Sequence, residues 1–270
     1  MAKAPATTAE LACIDGQTMP ADEARIPATD EGLLRGDGAF EVIRVYDGRP
    51  FAVADHLDRL ERSGANLRLH EVPRADLEVE IPELLAARGG SEFDGCLRIV
   101  LTRGGHRLLL TEPLPPSPDR IRLGVVEYAP SRVLDGVKSL SYAGNMLASR
   151  LARERGFDEA LLVTPHGRVL EAPTSSMFWV DAEGTLCTPP LDEHILASIT
   201  RARVMEVVPV TERPCTMEDL RAAREAFLAS TTREAQSIAA IEDIELPEGE
   251  RTREAMQKVG ARIAAELGSS

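Results

Sequence analysis

The stretch at residues 137–180 constrains the fold more than any other part of the chain, because it combines a single lysine with a well-placed carboxylate. Lys138 opens the run Lys-Ser-Leu-Ser-Tyr, directly before a helical pattern at residues 145–155. Glu171 follows a short apolar run and lies just before a Pro-Thr-Ser-Ser turn. The chain must therefore present an amine shortly before a helix and a carboxylate at the end of a strand.

These two side chains match part of the requirement for one cofactor. A lysine amine can form a Schiff base with an aldehyde. Pyridoxal 5'-phosphate (PLP) needs such a lysine, an acidic partner for its pyridine nitrogen and a cradle for its phosphate. Lys138 and Glu171 are candidates for the first two roles. Taken alone, either residue also fits a solvated surface side chain, and that simpler interpretation stays open at this point.

Composition excludes several classes of protein. The chain has 270 residues and a net charge of −13, which argues against a nucleic-acid partner because phosphate neutralisation needs a basic surface. Its apolar runs are too short to span a membrane, and the first ten residues lack the apolar core of a secretory signal. The four cysteines and five histidines show no metal-ligand spacing. We therefore expect a cytoplasmic protein without a metal, a membrane contact or bound nucleic acid.

A strand and hairpin are predicted after a glycine-rich loop at residues 29–38. Residues 40–46 are rich in β-branched and aromatic side chains, and Asp47-Gly48 is a strong hairpin signal before a returning strand at residues 50–53. Alternation places Phe40, Val42, Arg44 and Tyr46 on one face. An arginine between apolar neighbours either lies at an edge with its head in water or reaches into a pocket that receives an anion.

The remaining elements follow from periodicity and turn signals. Further helices are predicted at residues 56–69, 77–88, 200–208, 217–224 and 252–267. Further strands are predicted at residues 11–14, 97–102, 121–128, 160–163, 169–171, 176–180, 185–188 and 226–229. Residues 103–107 are predicted to form a loop. In the helix at 145–155, Leu147, Leu151 and Ala152 are expected to face the core. We place a linker at 129–136, between domains at 1–128 and 137–270.

Two segments are candidates for binding an anion. The helix beginning near Thr200 offers unpaired backbone N–H groups, and its dipole also favours negative charge there. The run Ser230-Thr231-Thr232 presents hydroxyls and turn amides, which can form a second anion site. A plain helix cap and a plain turn are the alternatives for these two threonine runs.

Eight blocks of the chain together resemble one enzyme family. They are Gly-Asp-Gly-Ala-Phe-Glu at 36–41, His-Leu-Asp-Arg-Leu at 56–60, Lys-Ser-Leu at 138–140, Asp-Glu-Ala-Leu-Leu at 158–162, Leu-Glu at 170–171, Thr-Pro-Pro at 188–190, the segment 196–201 and Ser-Thr-Thr at 230–232. In this order they resemble the fold-type IV PLP enzymes over residues 30–244. That class holds branched-chain and D-amino acid aminotransferases, R-selective amine transaminases and aminodeoxychorismate lyase.

The resemblance implies a fold, a cofactor and a set of site residues. The family fold consists of two α+β domains with PLP between them, as in D-amino acid aminotransferase. Its minimal unit is a homodimer in which a loop of the neighbouring subunit closes each site. By resemblance, Lys138 carries the cofactor and Glu171 keeps the pyridine nitrogen protonated. The implied partners of the phosphate and of the phenolic oxygen are Arg59, Ile199, Thr200, Thr231 and Tyr142.

The resemblance also guides the prediction of function. We interpret the chain as a PLP-dependent aminotransferase that moves an amino group between an amino acid and a 2-keto acid by a ping-pong mechanism, with a D-amino acid or a branched-chain or aliphatic amino acid as donor. The alternatives are pyruvate elimination by a 4-amino-4-deoxychorismate lyase, an R-selective amine transaminase, and a non-catalytic PLP carrier. Val42 stands where the lyase has threonine, which counts against the lyase.

Substrate recognition is predicted at the strand face described above. Phe40, Val42 and Arg44 are expected to line the pocket, with Arg44 bound to the substrate carboxylate. Thr232 is expected to add a turn amide to that carboxylate. The loop containing Arg103 lacks the Arg-x-His pair of the Bacillus-type D-amino acid enzymes, and Phe40 replaces their tyrosine. Arg103, or Arg107 from a neighbouring subunit, is the alternative cation, and the chirality of the substrate stays open.

Overall fold

A computed structural model describes residues 10–268 of the chain. The chain divides into two compact units. The first extends to Pro115 and includes Val137–Ser141, while the second comprises Pro116–Gly136 and the chain from Tyr142 onward. Helices and strands occur in both units, so the predicted α+β class is confirmed.

The first unit is built on a six-stranded antiparallel sheet with the strand order β2-β1-β6-β5-β3-β4. Its strands are β1 (Leu11–Ile14), β2 (Gln17–Pro20), β3 (Gly38–Tyr46), β4 (Arg49–Pro50), β5 (Gly95–Thr102) and β6 (Arg107–Glu112). Its helices are α1 (Glu31–Arg35), α2 (Val53–Leu67) and α3 (Arg74–Arg88).

The predicted hairpin between β3 and β4 is present. Asp47 and Gly48 both have positive φ, 47° and 75°, as a two-residue hairpin loop of the favoured hand requires. A Cβ at Gly48 would lie 2.3 Å from the carbonyl oxygen of Gly90, so this position accepts only glycine. The turn therefore fixes the register of β3, on which much of the site is built.

Strand β3 presents two different faces. Ile43 and Val45 pack with Leu57 and Leu60 of α2 in the core of the first unit, as the alternation of the strand predicts. Phe40, Val42, Arg44 and Tyr46 project from the opposite side, which we call the outer face of the sheet. This face is separated from the α2 core by the thickness of the sheet itself.

The second unit is built on a larger mixed sheet. Its strands are β7 (Ile121–Glu127), β8 (Glu159–Val163), β9 (Arg168–Val169), β10 (Ser176–Val180), β11 (Leu186–Thr188), β12 (Thr211–Glu212), β13 (Cys215–Thr216), β14 (Glu225–Ser230), β15 (Glu234–Ile241) and β16 (Ile244–Glu245). Its helices are α4 (Ala143–Glu154), α5 (Ile199–Val207), α6 (Met217–Arg221) and α7 (Glu250–Gly268).

Ten strands make up this second sheet. Nine follow the order β12-β11-β10-β14-β15-β7-β8-β9-β13, and β16 pairs with β15. The parallel pairs are β7 with β8, β7 with β15, and β11 with β12. Trp179 lies in the core, and the rings of Phe178 and Phe227 stack with centroids 4.8 Å apart. Helix α4 connects β7 to β8, as a parallel pair requires a crossover.

Helix α4 corrects one sequence prediction. Leu147 and Leu151 were expected to face the core, but they are 50% and 41% exposed. Ala152 is buried as predicted, and the other buried residues of α4 are Ala148 and Ser149. Small side chains let the helix approach β7 and β8 closely, and this close packing decides which face is buried.

The structure contains strands that were not predicted, and it divides the chain into units at other positions than the sequence predicted. Strands β6 and β15 were not predicted. Each forms a hairpin with the strand before it, and each pairs on its other side with a strand distant in sequence, β1 and β7 respectively. Strand β7, expected in the amino-terminal domain, pairs within the sheet of the second unit. Residues 137–141, expected in the carboxyl-terminal domain, belong to the first unit. Within residues 10–268, no helix is long and apolar enough to cross a bilayer.

Candidate active site

The backbone around Lys138 is hydrogen-bonded to two elements of the first unit, strand β3 and helix α2. Its carbonyl oxygen accepts a hydrogen bond from the N–H of Phe40 at 3.0 Å, and the N–H of Leu140 donates to the Gly38 carbonyl at 2.9 Å. These bonds add residues 138–140 to the edge of β3. The N–H of Lys138 also donates to Oγ of Ser63 on α2, at 3.1 Å. The position of the lysine is therefore set by β3 and α2.

The side chain of Lys138 crosses the outer face of β3. Its Nζ lies 4.2 Å from the centroid of the Phe40 ring, within the range of a cation–π interaction. Lys258, the other lysine within residues 10–268, lies on α7 and pairs with Glu254 at an exposed site. Lys138 thus differs from Lys258 in being half-buried and held against an aromatic ring.

A buried charged network lies on the α2 side of β3. Glu41 is fully buried and accepts hydrogen bonds from Nε and Nη2 of Arg59, both at 2.7 Å. Nδ1 of His56 lies 2.8 Å from the same carboxylate. Burial alone would raise the pKa of the Glu41 carboxyl, but the hydrogen bonds from Arg59 and His56 and the charge of Arg59 outweigh it and lower that pKa to about 2.

His56 is neutral in this network. Burial lowers its pKa, and the charges of Arg59 and Lys138 lower it further, against the opposing effect of Glu41. Because Glu41 is ionised, Nδ1 of His56 carries the hydrogen and donates it. Nε2 has no hydrogen-bond partner among residues 10–268. Arg59, predicted to reach the phosphate, therefore has two of its nitrogens engaged by a carboxylate in the first unit.

Arg44 is buried and bonded at the end of its own hairpin. Its Nη1 donates to the carbonyl oxygens of Val45 and Gly95, and its Nη2 lies 2.6 Å from Oδ1 of Asp94. Its guanidinium also lies 4.2 Å from the ring centroid of Tyr46. These contacts join β3 to the start of β5, which gives Arg44 a structural task in addition to the predicted role in the pocket.

Arg103 is likewise engaged within its own unit. Nε and Nη2 bind the carboxylate of Asp37 at 2.9 and 3.2 Å, and the carbonyls of Leu67 and Arg68 accept from Nη2 and Nη1. All three guanidinium nitrogens are used. Arg107, the other arginine considered for the substrate carboxylate, is paired with Glu80. Both arginines therefore contribute to the packing of the first unit, Arg103 from the loop before β6 and Arg107 from the first position of β6.

Sequence reasoning missed Arg98, which lies on the outer face of the sheet. Arg98 pairs directly with Val42 across β3 and β5, and its guanidinium carbon lies 5.6 Å from the Phe40 ring centroid. The Phe40 ring therefore lies close to two cationic side chains, Lys138 and Arg98. The alternation of β5, in which Leu97 and Ile99 are buried, is the sequence signal that assigns Arg98 to this face.

In the second unit, Glu171 is held by a backbone amide. The residue follows β9, where its carbonyl accepts the N–H of Leu162 at 2.9 Å. Its Oε1 accepts a hydrogen bond from the N–H of Leu196 at 3.0 Å. This bond fixes one carboxylate oxygen and thereby sets the direction of the other. The half-buried carboxylate is positioned by both neighbouring strands and the loop before α5.

Tyr142 and its neighbours form a polar cluster near the start of α4. Tyr142 Oη donates to the carbonyl oxygen of Pro173, which also accepts from Nδ2 of Asn145 at 3.1 Å. Tyr128 Oη donates to Oδ1 of Asn145 at 3.4 Å. Burial raises the pKa of Tyr128, and the negative charge of Glu171 raises it further. The cluster ties the turn that follows Glu171 to the first turn of α4.

The start of α5 presents open backbone donors. Oγ of Ser198 caps the helix by accepting from the N–H of Arg201 at 3.2 Å. The N–H groups of Ile199 and Thr200 have no acceptor among the described residues, although both residues are buried. Buried N–H groups in folded proteins are almost always paired. The two amides thus lack the acceptor that an anion would supply.

The turn between β14 and β15 also presents backbone N–H groups that lack an acceptor in the part of the chain that the structure describes. The N–H groups of Thr231 and Thr232 donate to no residue in the described range 10–268, and Oγ of Ser230 is buried without a partner there. Arg233 braces the turn by binding Glu159 at 2.6 Å and Oγ of Ser175 at 3.1 Å. Both segments predicted to bind an anion therefore carry unpaired donors.

Comparison with known proteins identifies the family to which this chain is similar. The model of the class IV amino-transferase family matches residues 38–241. A protein of Methanocaldococcus jannaschii, provisionally described as a branched-chain-amino-acid aminotransferase, is 35% identical over 244 residues, which cover 82% of this chain and 84% of that protein. The D-alanine aminotransferase of Staphylococcus epidermidis is 28% identical over 264 residues, covering 88% of this chain and 91% of that enzyme.

A solved structure extends the likeness to three dimensions. The PLP-bound form of a hypothetical aminotransferase from Mycobacterium tuberculosis superposes with a TM-score of 0.87 at 25% identity, over 95% of this chain and 99% of that one. The chain belongs to the class IV aminotransferase family. It is a fold-type IV enzyme, its cofactor is PLP and its activity is that of an aminotransferase, as the sequence predicted.

The donor groups of the second unit fit this cofactor. A phosphate needs several hydrogen-bond donors, and the open amides of Ile199 and Thr200 are suitable donors at a helix start. The open amides of Thr231 and Thr232 offer a second set. The Glu171 carboxylate is an acceptor that suits a protonated ring nitrogen. The chemistry of these residues therefore matches the phosphate and the pyridine ring of PLP.

Proposed function

We propose that the protein transfers an amino group from an α-amino acid with an aliphatic or other apolar side chain to a 2-keto acid. The observation that carries this proposal is the placement of the Lys138 amine against Phe40, on a backbone held by β3 and α2. An amine fixed in this way can remove and return a proton at the amino-bearing carbon of a bound substrate. Bound PLP supplies the electron sink that makes this proton removable.

Other residues of the chain take supporting roles in this proposal. Glu171 holds a proton on the pyridine nitrogen, with its carboxylate oriented by the N–H of Leu196. The amides of Ile199 and Thr200 and the turn at Thr231 bind the phosphate. Arg59 adds positive charge, and Tyr142 binds near the phenolic oxygen. Each assignment follows the family resemblance. The open amides and the oriented Glu171 carboxylate support their assignments, whereas those of Arg59 and Tyr142 rest on the resemblance alone.

Substrate recognition in this proposal relies on the outer face of β3. Phe40 and Val42 provide an apolar surface for the substrate side chain, which suits aliphatic groups. The open amide of Thr232 supports the binding of the α-carboxylate by the turn after β14. Arg44 and Arg103, the cations predicted from sequence, are engaged by Asp94 and Asp37. We therefore favour the turn as the main site for the α-carboxylate.

We further propose that the enzyme works in the cytoplasm as a homodimer with its sites at the subunit interface. The family resemblance supports the dimer. The four cysteines are buried and free, which fits a reducing compartment. Size-exclusion chromatography with light scattering tests the dimer, and mixing two inactive site variants to restore activity tests whether each site uses both subunits.

The test of the proposed reaction is a half-reaction panel. The purified holoenzyme is mixed with L-amino acids, D-amino acids and carboxylate-free amines while the cofactor spectrum is followed. We expect conversion with α-amino acids and reversal on adding a keto acid. Conversion with amines alone would indicate an amine transaminase, and pyruvate release without an acceptor would indicate a lyase. A spectrum that responds to none of the donors would contradict catalysis and indicate a PLP carrier.

A further inference from the structure

Arg98 and Glu112 form a tight ion pair on the outer face of the first sheet. They lie on the adjacent strands β5 and β6 as diagonal neighbours, because Arg98 pairs with Leu110 and Cys96 pairs with Glu112. Nε of Arg98 lies 3.0 Å from both carboxylate oxygens, and Nη2 lies 2.9 Å from Oε2. One edge of the guanidinium is thus fully covered by the Glu112 carboxylate.

Arg98 of this pair shares an aromatic neighbour with the amine of Lys138. Arg98 and Lys138 both lie near the ring of Phe40, at 5.6 and 4.2 Å from its centroid. The cross-strand neighbours of Arg98 on the same face are Val42 and Leu110, which are aliphatic and half-buried. A substrate side chain that extends from the amine along Val42 therefore approaches the Arg98–Glu112 pair.

The charge of this region is balanced by the chain's own carboxylates. Glu112 neutralises Arg98, and Asp94 does the same for Arg44 further along β3. A second carboxylate on a substrate would find the edge of the Arg98 guanidinium already covered. It would also approach the negative charge of Glu112, and like charges a few ångströms apart repel each other. An aliphatic side chain meets neither obstacle.

We propose that Glu112 is a specificity-determining residue that disfavours substrates with a second carboxylate. The proposal rests on the proposed aminotransferase function and deepens it, because it names the preferred substrates as monocarboxylic amino acids and keto acids. Glu112 occupies the position on Arg98 that a distal substrate carboxylate would otherwise take. Removing its charge opens Arg98 to five-carbon dicarboxylates.

The test compares two acids that bind without reacting. Glutarate carries two carboxylates and butyrate carries one, and calorimetry on the holoenzyme measures the dissociation constant of each. In the Glu112→Gln variant we expect glutarate to bind about tenfold more tightly, with butyrate affected less than about twofold. The ratio of kcat/KM for 2-oxoglutarate to that for pyruvate should rise in parallel, mainly through KM. Glu112→Ala should change both quantities in the same direction.

Two further variants make the result specific. Glu245→Gln removes a carboxylate from the exposed Arg122–Glu245 pair in the second unit and should change neither dissociation constant. Adding Arg98→Leu to Glu112→Gln should abolish the gain in glutarate binding, because the gain depends on the freed guanidinium. Unchanged or weaker glutarate binding in Glu112→Gln would overturn the proposal, since it would mean that Glu112 does not compete or that it holds Arg98 ready for a carboxylate.

The design separates this inference from the proposed function. If the wild-type holoenzyme converts no amino donor, the aminotransferase proposal fails, whereas the comparison of glutarate with butyrate still decides the role of Glu112. If transamination occurs and the glutarate comparison shows no gain, only the inference on Glu112 fails.

Discussion

Lys138 and Phe40 are joined twice, through the backbone and through their side chains. The N–H of Phe40 donates to the carbonyl of Lys138, and the ring of Phe40 lies 4.2 Å from Nζ of Lys138. The same strand that pairs with the lysine backbone thus also supplies the surface on which its amine rests. Any shift in the register of β3 would move both, which makes the hairpin at Asp47 and Gly48 a remote determinant of the position of the amine.

We predict that the cofactor is attached to Lys138. Borohydride reduction followed by peptide mapping should recover the pyridoxyl group on the peptide containing Lys138, because this amine is half-buried and held against an aromatic ring. The chain has three lysines, Lys3, Lys138 and Lys258, so the assignment is unambiguous. Lys258 serves as the internal control for nonspecific labelling. Label on Lys258 and none on Lys138 would refute the site.

Glu171→Gln should retain PLP but slow the half-reaction by roughly 10²–10³-fold, because a neutral amide cannot keep the ring nitrogen protonated. Oε1 and the amide hydrogen bond to Leu196 are preserved in this variant, so the loop before α5 should stay in place. Stopped-flow absorbance measures the rate. Glu193→Gln, which removes a carboxylate paired with Arg168 in the same unit, is the matched control. A wild-type rate in Glu171→Gln would exclude the role.

Arg44→Leu distinguishes a structural arginine from a substrate-binding one. Because its guanidinium bonds to Val45, Gly95 and Asp94, we expect the free energy of unfolding to fall by about 1–3 kcal/mol. Activity toward amino acids and toward carboxylate-free amines should then change by the same factor. Chemical denaturation and paired kinetics measure the two effects. A loss confined to amino acids would instead support the carboxylate role predicted from the sequence.

Acid should destabilise the protein through Glu41. Its pKa is about 2 in the folded chain and near 4.5 for a free side chain, so the stabilisation is complete above pH 4.5 and is lost as the pH falls toward 2. The shift corresponds to roughly 3 kcal/mol. Denaturant titrations from pH 7 to pH 3 should show the larger part of this loss, and Glu41→Gln should flatten it. Parallel pH curves for the variant and the wild type would contradict the assignment.

Local signals in the sequence predicted much of the fold. The Asp47-Gly48 turn, the outer face of β3 and the strand at β14 follow from turn chemistry and alternation, which act over a few residues. Strand β6 was not predicted from the sequence. Only its hairpin with β5 is local, whereas its other partner, β1, lies at the far end of the first unit's sequence, and no local pattern records that pairing. Leu147 and Leu151 were misassigned because the close packing of small residues against β7 and β8 decides the buried face of α4.

The candidate site, like the fold, could be predicted from the sequence only in part. Lys138, Glu171 and the two anion-binding segments could be recognised from motifs, since each motif is contiguous. The partners of Arg44, Arg103 and Arg98 could not, because each is paired with a carboxylate that folding brings near. Charge pairing between distant residues depends on register and side-chain direction, and these emerge only when the sheets are assembled.

Residues 137–141 belong to the first unit although the chain on either side of them belongs to the second. The two halves of the gene product are therefore not interchangeable modules. A fragment beginning at residue 116 would contain Lys138, Glu171 and both anion-binding segments. It would lack β3 and α2, the strand and the helix that hold the lysine backbone. A chimera of two relatives that exchanged only the carboxyl-terminal half would therefore place one protein's lysine on another protein's β3.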